Sequence, residues 1–509
     1  MTTIFSYFGL RRIPHSLKML ILIMIICLGF WLLPKPAFAF DTGDHSDLTW
    51  QALKNEGFQD TPTQIVQLEN WITDYYSSAV KRTPTYPIKL EVEKLHFDDL
   101  FTTEQIRRYW GWLTFNTKSA VQQATKDKDA LKLLTLLGIS LHAVQDFYAH
   151  SNWVETHPRS PSSPFKPETW FDSPPGASSP KLYTGYYKHD EGPAIKPPGA
   201  VDHGDYDTGL NKDSYYRQLK SKDWQTAYVF AYAGSRQWVQ AVRTWVNEVN
   251  PTFWSSVQTA TLGTSDRKAL DKDLNAAYRI SEWVALQGAD GHWKGKGSGS
   301  TAEFLAFTAS WTASPDSRFV NEFKVRKLHL LLSKGLNVDG AKIGLPPSPL
   351  PIVSKLAPLN QKAIIVRTLQ AKEDSVGFFE VKIDPGGKAD FYGKITVAGQ
   401  TFVEAMQLDK ADVSPAWTTI KFLPSTTTQV SNHYELWDED GGVSGDDDHC
   451  DINSAKNKRD LNWNFSVSSH NNTGDITGVH DSPAKAVTSK GSGDSDRAIV
   501  KLYVTERSL

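Results

Sequence analysis

The sequence predicts a multidomain α + β protein, a mostly α-helical domain followed by an antiparallel β-sandwich. Three observations predict it. Apolar residues recur at helical spacing from about residue 44 to residue 334, a run of prolines interrupts the chain at 344–351, and beyond it the periodicity falls to two. At 509 residues the chain exceeds what one ordinary core buries, in agreement with more than one domain.

The first forty residues stand apart. Arg11, Arg12, His15 and Lys18 precede an unbroken apolar run from Met19 to Leu33, followed by Pro34, Pro36 and Ala37-Phe38-Ala39. A basic start, a short apolar run and an A-x-A site predict a signal peptide over 1–39, cleaved before Phe40. An uncleaved anchor is the alternative, for which fifteen apolar residues are short. The mature chain is expected to be exported, periplasmic or secreted. Cys450 would be its one cysteine, so packing and metals must do what an internal disulfide does elsewhere. Net charge is −2 and no block of Lys or Arg forms a nucleic-acid footprint, so charge names no partner.

The helical domain is expected over 40–343, with its clearest stripes at 129–150, 224–249, 271–288 and 319–332. A Pro-, Gly-, Ser- and Tyr-rich stretch at 158–213 interrupts it, and a loop of that length inside a domain is usually functional or disordered. The strongest local signal is His142, Asp146 and His150, one turn apart on one helix. Imidazole and carboxylate are the ligands zinc takes when cysteine is absent, and three such groups on an apolar helix are costly to bury unpaired. Asp74 beside Tyr75 and Tyr76, and His96 beside Asp98 and Asp99, add weaker signals. Phe40 would be the mature N-terminus five residues before His45, and a free α-amine, its carbonyl and an imidazole can chelate one metal.

These residues resemble the Het-C (heterokaryon incompatibility) family, grouped with the zinc-dependent phospholipases C and single-strand nucleases. The likeness rests on the run 70–80, on His96-Phe97-Asp98, on the helix His142–Glu155 and on Gly209-Leu210-Asn211-Lys212-Asp213. The resemblance implies a cluster of up to three zinc ions held by Phe40 through its backbone, His45, Asp74, His96, His142, Asp146 and His150. It departs from the family pattern in the spacing of His150 and in lacking a second His-x-x-x-Glu helix. His203 and Asp207 have the spacing but sit in a Gly-containing loop, where a plain turn is an equal reading; His189 and Glu155 are weaker substitutes. With the cluster in place, the resemblance implies a metal-dependent hydrolase of phosphodiesters, with Asp74 the candidate catalytic residue, either as metal ligand or as the base that orients water.

Residues 344–357 read as a Pro-rich linker and 358–509 as a β-sandwich of seven or eight strands, with short runs at 363–369, 378–383, 392–397, 417–423, 434–437, 461–467 and 499–504. Two acidic loops mark it: Asp384 and Asp390 flank one turn, and Asp438, Asp440 and Asp446 follow in another. Converging carboxylates repel unless a hard cation such as calcium takes their oxygens. The double spacing resembles the calcium loops of C2 domains, which implies docking on a phospholipid membrane surface. The sequence therefore leads to a zinc phosphodiesterase of phospholipase C type carried to membranes by calcium. A nuclease-like phosphodiesterase, and a non-catalytic membrane-binding or toxin-like protein, are the alternatives.

Overall fold

The computed structural model describes residues 42–77, 86–157, 223–285, 322–347, 359–374 and 388–509, most of 167–212, and Phe319; the last long range excepts 405–406, 408–409, 416, 439–447 and 494–495. The expected signal peptide, Phe40, Asp207, Asp384, Asp440 and Asp446 lie outside the described residues.

The N-terminal region is helical: α1 (Thr42–Asn55), α2 (Asp60–Ser77), α3 (Tyr86–Val92), α4 (Thr103–Lys126), α5 (Ala130–His150), α6 (Trp153–Thr156), α7 (Asp223–Asn247), α8 (Phe253–Gln258), α9 (Thr264–Ala285) and α10 (Glu322–Ser333). Helix α5 is its axis, buried continuously from Leu133 to His150. It starts where the Asp129 carboxylate accepts the Lys132 N–H at 2.9 Å, satisfying one of the donors a helix start leaves open. By length and hydropathy α5 matches a membrane span, yet it lies inside a shell of helices, as an all-round apolar core helix does. Gly138 sets how close that shell comes. A Cβ there would lie 2.7 Å from the Val66 carbonyl oxygen and 2.7 Å from Glu69 Cβ, so only glycine lets α2 approach this near. That approach carries Asn70 and Asp74 toward the polar end of α5.

The long loop is stitched down where it is described. Thr184 N donates to Leu100 O at 2.7 Å, Gly185 N to His150 O at 3.0 Å, and His203 N to Tyr186 O at 2.9 Å. A Cβ on Gly185 would fall 2.5 Å from His203 Cα, so its absence admits the His203 segment.

The C-terminal region is antiparallel β: β1 (Gln361–Glu373), β2 (Phe391–Val397), β3 (Gln400–Val403), β4 (Asp412–Val413), β5 (Thr418–Pro424), β6 (Gln429–Asp438), β7 (Asp448–Cys450), β8 (Leu461–Ser466), β9 (Asn471–Gly474), β10 (Gly478–Val479), β11 (Val487–Lys490) and β12 (Ala498–Ser508). One sheet runs β11-β12-β1 with β4 and β5 both on β1; the other runs β10-β9-β8-β6-β2-β3 with β7 on the end of β6. The described residues hold twelve strands where seven or eight were expected. The six that alternation missed (β3, β4, β7, β9, β10 and β11) have two to four residues each, too few for a period of two to show. The expected strand at 378–383 lies outside the described residues.

Strand β6 alternates cleanly, with Val430, Asn432, Tyr434, Leu436 and Asp438 inward. Strand β1 does not, because both of its faces are covered. Ile364 and Val366 belong to the sandwich core, while Ala363 and Ile365 join Ile420 and Phe422 in the core of the helical region. At this junction Tyr232 stacks on Phe422 with centroids 3.8 Å apart, and Gln51 on α1 bonds the β5 backbone twice, to Ile420 O at 3.1 Å and from Phe422 N at 2.8 Å. A side-chain amide thus completes the strand edge as a neighbouring strand would.

Candidate metal centre

Six imidazoles and three carboxylates converge at the polar end of α5, drawn from α1, α2, the turn after α3, α5 and the long loop. They form three groups whose ligand atoms lie within 4.8 Å of one another: His45, His142 and Asp146; Asp74, His96 and His142; Asp98, His150 and His203. His189 completes the last, its Nε2 3.6 Å from Asp98 Oδ2.

In the first group His45 Nε2 lies 3.1 Å from Asp146 Oδ1 and His142 Nε2 3.2 Å from Asp146 Oδ2. In the second, His96 Nε2 is 3.6 Å from Asp74 Oδ1 and 3.1 Å from His142 Nε2. In the third, Asp98 Oδ1 is 3.2 Å from His150 Nδ1 and 3.7 Å from His203 Nε2. Ligands of one tetrahedral zinc, each about 2.0–2.1 Å from the ion, stand roughly 3.3 Å apart. The observed separations bracket that value.

Orientation agrees with the spacing. Both Asp146 oxygens are buried and accept no hydrogen bond of good geometry, although imidazole nitrogens stand beside them. Outer nitrogens are held instead: His45 Nδ1 by Gln145 Oε1 at 2.6 Å, His96 Nδ1 by Val92 O at 2.8 Å, His142 Nδ1 by Asn70 Oδ1 at 3.3 Å, and His203 Nδ1 by Gly204 O at 3.2 Å. An acceptor on Nδ1 keeps its proton there and turns the Nε2 lone pair inward, as metal-ligating histidines require. Gln145 is fixed in turn by Thr49 and Ser235.

Burial and the charges of neighbouring groups shift the cluster's titration in opposite directions. Burial, reinforced by the neighbouring His45 and His96, depresses His142 to about 3 despite Asp146; burial likewise depresses His203 to about 4. Asp146 stays well below the usual carboxylate range, since its histidines outweigh the burial that would raise it. Burial opposes a charge on His189, but Asp98 and Glu93 raise it to about 9. Asp99 goes the other way, raised by burial to about 8, and its Oδ1 accepts the Tyr187 N–H at 2.9 Å.

The single stripe expected on α5 is divided. His142 and Asp146 serve the first two groups, whereas His150, one further turn along, joins Asp98 and the loop in the third. Asp98 and His189 carry weight that spacing alone did not assign them. Asp98 is placed by strain: Phe97 and Asp99 have φ of 27° and 57°, and this contorted turn aims His96 and Asp98 at the site while Phe97 packs on Tyr109 and Trp110. Glu155 is not brought in; it pairs with Lys212 at 2.9 Å.

In the sandwich, Asp390 and Asp438 meet at adjacent strand ends, both buried, with the Asp390 N–H donating to Asp438 Oδ1. Asp448 lies opposite Asp438 in the β6–β7 register. Asp451, further along the same acidic run, is used otherwise: it accepts from the backbone of Asn453, Ser492 and Gly493 and so caps a turn.

Residues 60–167 match the family model of the VWA7 N-terminal domain. That span holds Asp74, His96, Asp98, His142, Asp146 and His150, while His45, His189 and His203 fall outside it. No curated protein matches the chain. Among solved structures, a human GIVD cytosolic phospholipase A2 is similar at 14% identity and a TM-score of 0.19, over 30% of this chain and 18% of that one. A C2 domain of a plant extended synaptotagmin 1 is similar at 11% identity and a TM-score of 0.20, over 30% of this chain and 98% of the domain. A C2 domain protein from Ramazzottius varieornatus is similar at 13% identity and a TM-score of 0.19, over 30% of this chain and 90% of that one. The chain spans less than a fifth of the phospholipase A2 chains it matches.

Proposed function

We propose that the chain is an exported, metal-dependent phosphodiesterase of phospholipase C type, with zinc in the helical region and calcium at the tip of the sandwich. The observation that carries this reading is the convergence of nine buried titratable side chains, eight in three groups of which two share His142, with His189 beside the third. Without cations such a concentration of buried charge is costly.

The donor set fits zinc: neutral imidazole and carboxylate, with outer hydrogen bonds that fix the tautomers. His45, His142 and Asp146 would hold one ion, Asp74 and His96 with the shared His142 a second, and Asp98, His150 and His203 a third. Bound there, zinc supplies Lewis acidity toward a phosphoryl oxygen and a water of lowered pKa. The chain's own part is positional. Gln145 and Asn70 lock the inner imidazoles, and the Phe97 turn holds His96 and Asp98 in register. Asp74, fully buried on α2, would act as a metal ligand or orient a water for attack on phosphorus. Asp390 and Asp438, with Asp384, Asp440 and Asp446, would hold calcium and bring the sandwich to anionic phospholipid.

A second reading is favoured by the depth of the site, since closed zinc sites are structural and open ones catalytic. None of the nine side chains that form the three groups and His189 is more than 8% exposed. In that reading the metals only hold the fold. Purified mature protein decides between them: metal analysis gives the zinc content, and hydrolysis of phosphatidylcholine and of single-stranded DNA is followed in parallel with and without chelator. Chelator-sensitive release of phosphocholine supports the phospholipase reading, cleavage of DNA alone replaces it with the nuclease, and full zinc with neither activity leaves the structural role.

A further inference from the structure

A second cluster of ligand-type side chains gathers on the outer face of the sandwich, apart from the helical cluster and next to the acidic run that ends at Asp448. Outward positions of β6 carry His433, Glu435 and Trp437, the face opposite buried Asp438. The neighbouring strands bring the rest: Asn462 on β8 pairs with His433, His449 on β7 pairs with Trp437, and Asp460 stands just before β8. His433, Glu435 and Asp460 offer ligand atoms within 4.8 Å of one another.

Three of the four groups are aimed by a partner behind them. His433 Nδ1 faces Asn462 Oδ1 at 2.9 Å, which keeps the proton on Nδ1 and turns Nε2 toward Glu435 Oε1, 2.8 Å away. Trp437 Nε1 donates to Glu435 Oε2 at 2.8 Å, leaving Oε1 for the cluster. Asp460 reaches both histidines, with Oδ2 3.9 Å from His433 Nε2 and Oδ1 bonded to His449 Nε2. The His449 ring is stacked on Trp437, centroids 4.4 Å apart and planes 9° from parallel. Two imidazoles and two carboxylates, with Asn462 behind His433 and Trp437 behind Glu435 and the His449 ring, form the donor set of a borderline divalent cation, and calcium, which takes six to eight oxygens, is poorly served. The four ligating side chains are about a quarter exposed, open to ions in solution.

We propose that His433, Glu435, Asp460 and His449 bind a zinc-class divalent cation that ties the short edge strand β7 to β6 and β8. The site stands independently of the helical cluster. Because that cluster would also take up zinc, the readout must be specific to these residues. Full-length protein stripped with chelator is treated with diethyl pyrocarbonate in the presence of zinc, calcium or chelator, and labelling of each histidine is mapped by mass spectrometry. Zinc should slow labelling of His433 and His449 several-fold and calcium should not, while His470, in the same sandwich and one-third exposed, keeps its rate. The surface variant Glu435→Gln with Asp460→Asn should label His433 and His449 equally with and without zinc, its unchanged His470 rate reporting an intact sandwich. Labelling of the wild type that zinc does not alter, or protection that survives in the double variant, overturns the site.

Discussion

His142 belongs to two of the three groups in the helical region and His150 to one, so replacing each by alanine should have unequal consequences. In the structure His142 Nε2 stands 3.2 Å from Asp146 Oδ2 and 3.1 Å from His96 Nε2, the shared corner of both groups. His150 Nδ1 stands 3.2 Å from Asp98 Oδ1, in the third group. A four-coordinate zinc that loses one of three protein ligands is held weakly, so His142→Ala should lose about two ions per chain and His150→Ala about one. Both side chains are fully buried on the same helix and are of equal size, so a general loss of stability would act alike on the two variants. Metal content is read by plasma mass spectrometry after gel filtration of the folded fraction, with circular dichroism as the folding control. Both variants are compared in one buffer at one pH, because protons compete with metal for the histidines. Equal metal loss in the two folded variants, or full metal in His142→Ala, would refute the shared corner and with it the three-ion reading.

Three further outcomes are expected. Gln145→Ala removes the acceptor behind His45 and frees that ring to rotate, so zinc affinity measured by competition with a chromophoric chelator should fall about 10- to 100-fold with little change in fold. Asp47, half-buried at the junction, is raised by burial to about 7 against the opposing effects of Gln400 and Lys421, so the folded state holds a proton that the unfolded chain releases near 3.8. Its contribution is therefore fully present below 3.8 and lost as pH rises to about 7; Asp47→Asn should remove a pH-dependent change on the order of 1–2 kcal/mol from urea melts taken across that window, once discounted for exposure. Asp438→Asn with Asp440→Asn should abolish calcium-dependent co-sedimentation with anionic vesicles while sparing hydrolysis of a soluble phosphodiester, and binding equal with calcium and with chelator would remove the calcium anchor.

What the sequence determined by itself was local in character. Three ligand-type side chains at intervals of four residues on an apolar helix announce a polar seam, because one turn of α5 is one step of the code. Alternation in β6 announces a sheet with one face buried. Strand β1 does not alternate, and its even burial reflects the helical region packed on its second face, a fact of the rest of the chain and not of the strand. How the seam is divided was decided only in three dimensions. His150 parts from His142 and Asp146 because Asp98 and His203 reach it, the one through positive φ angles at Phe97 and Asp99, the other across a glycine that lets a distant loop close on α5. Neither contact leaves a period in the chain. Periodicity records which face of an element is buried; the partners that bury it, and the pairing of groups as far apart as Gln51 and Phe422, are settled by packing.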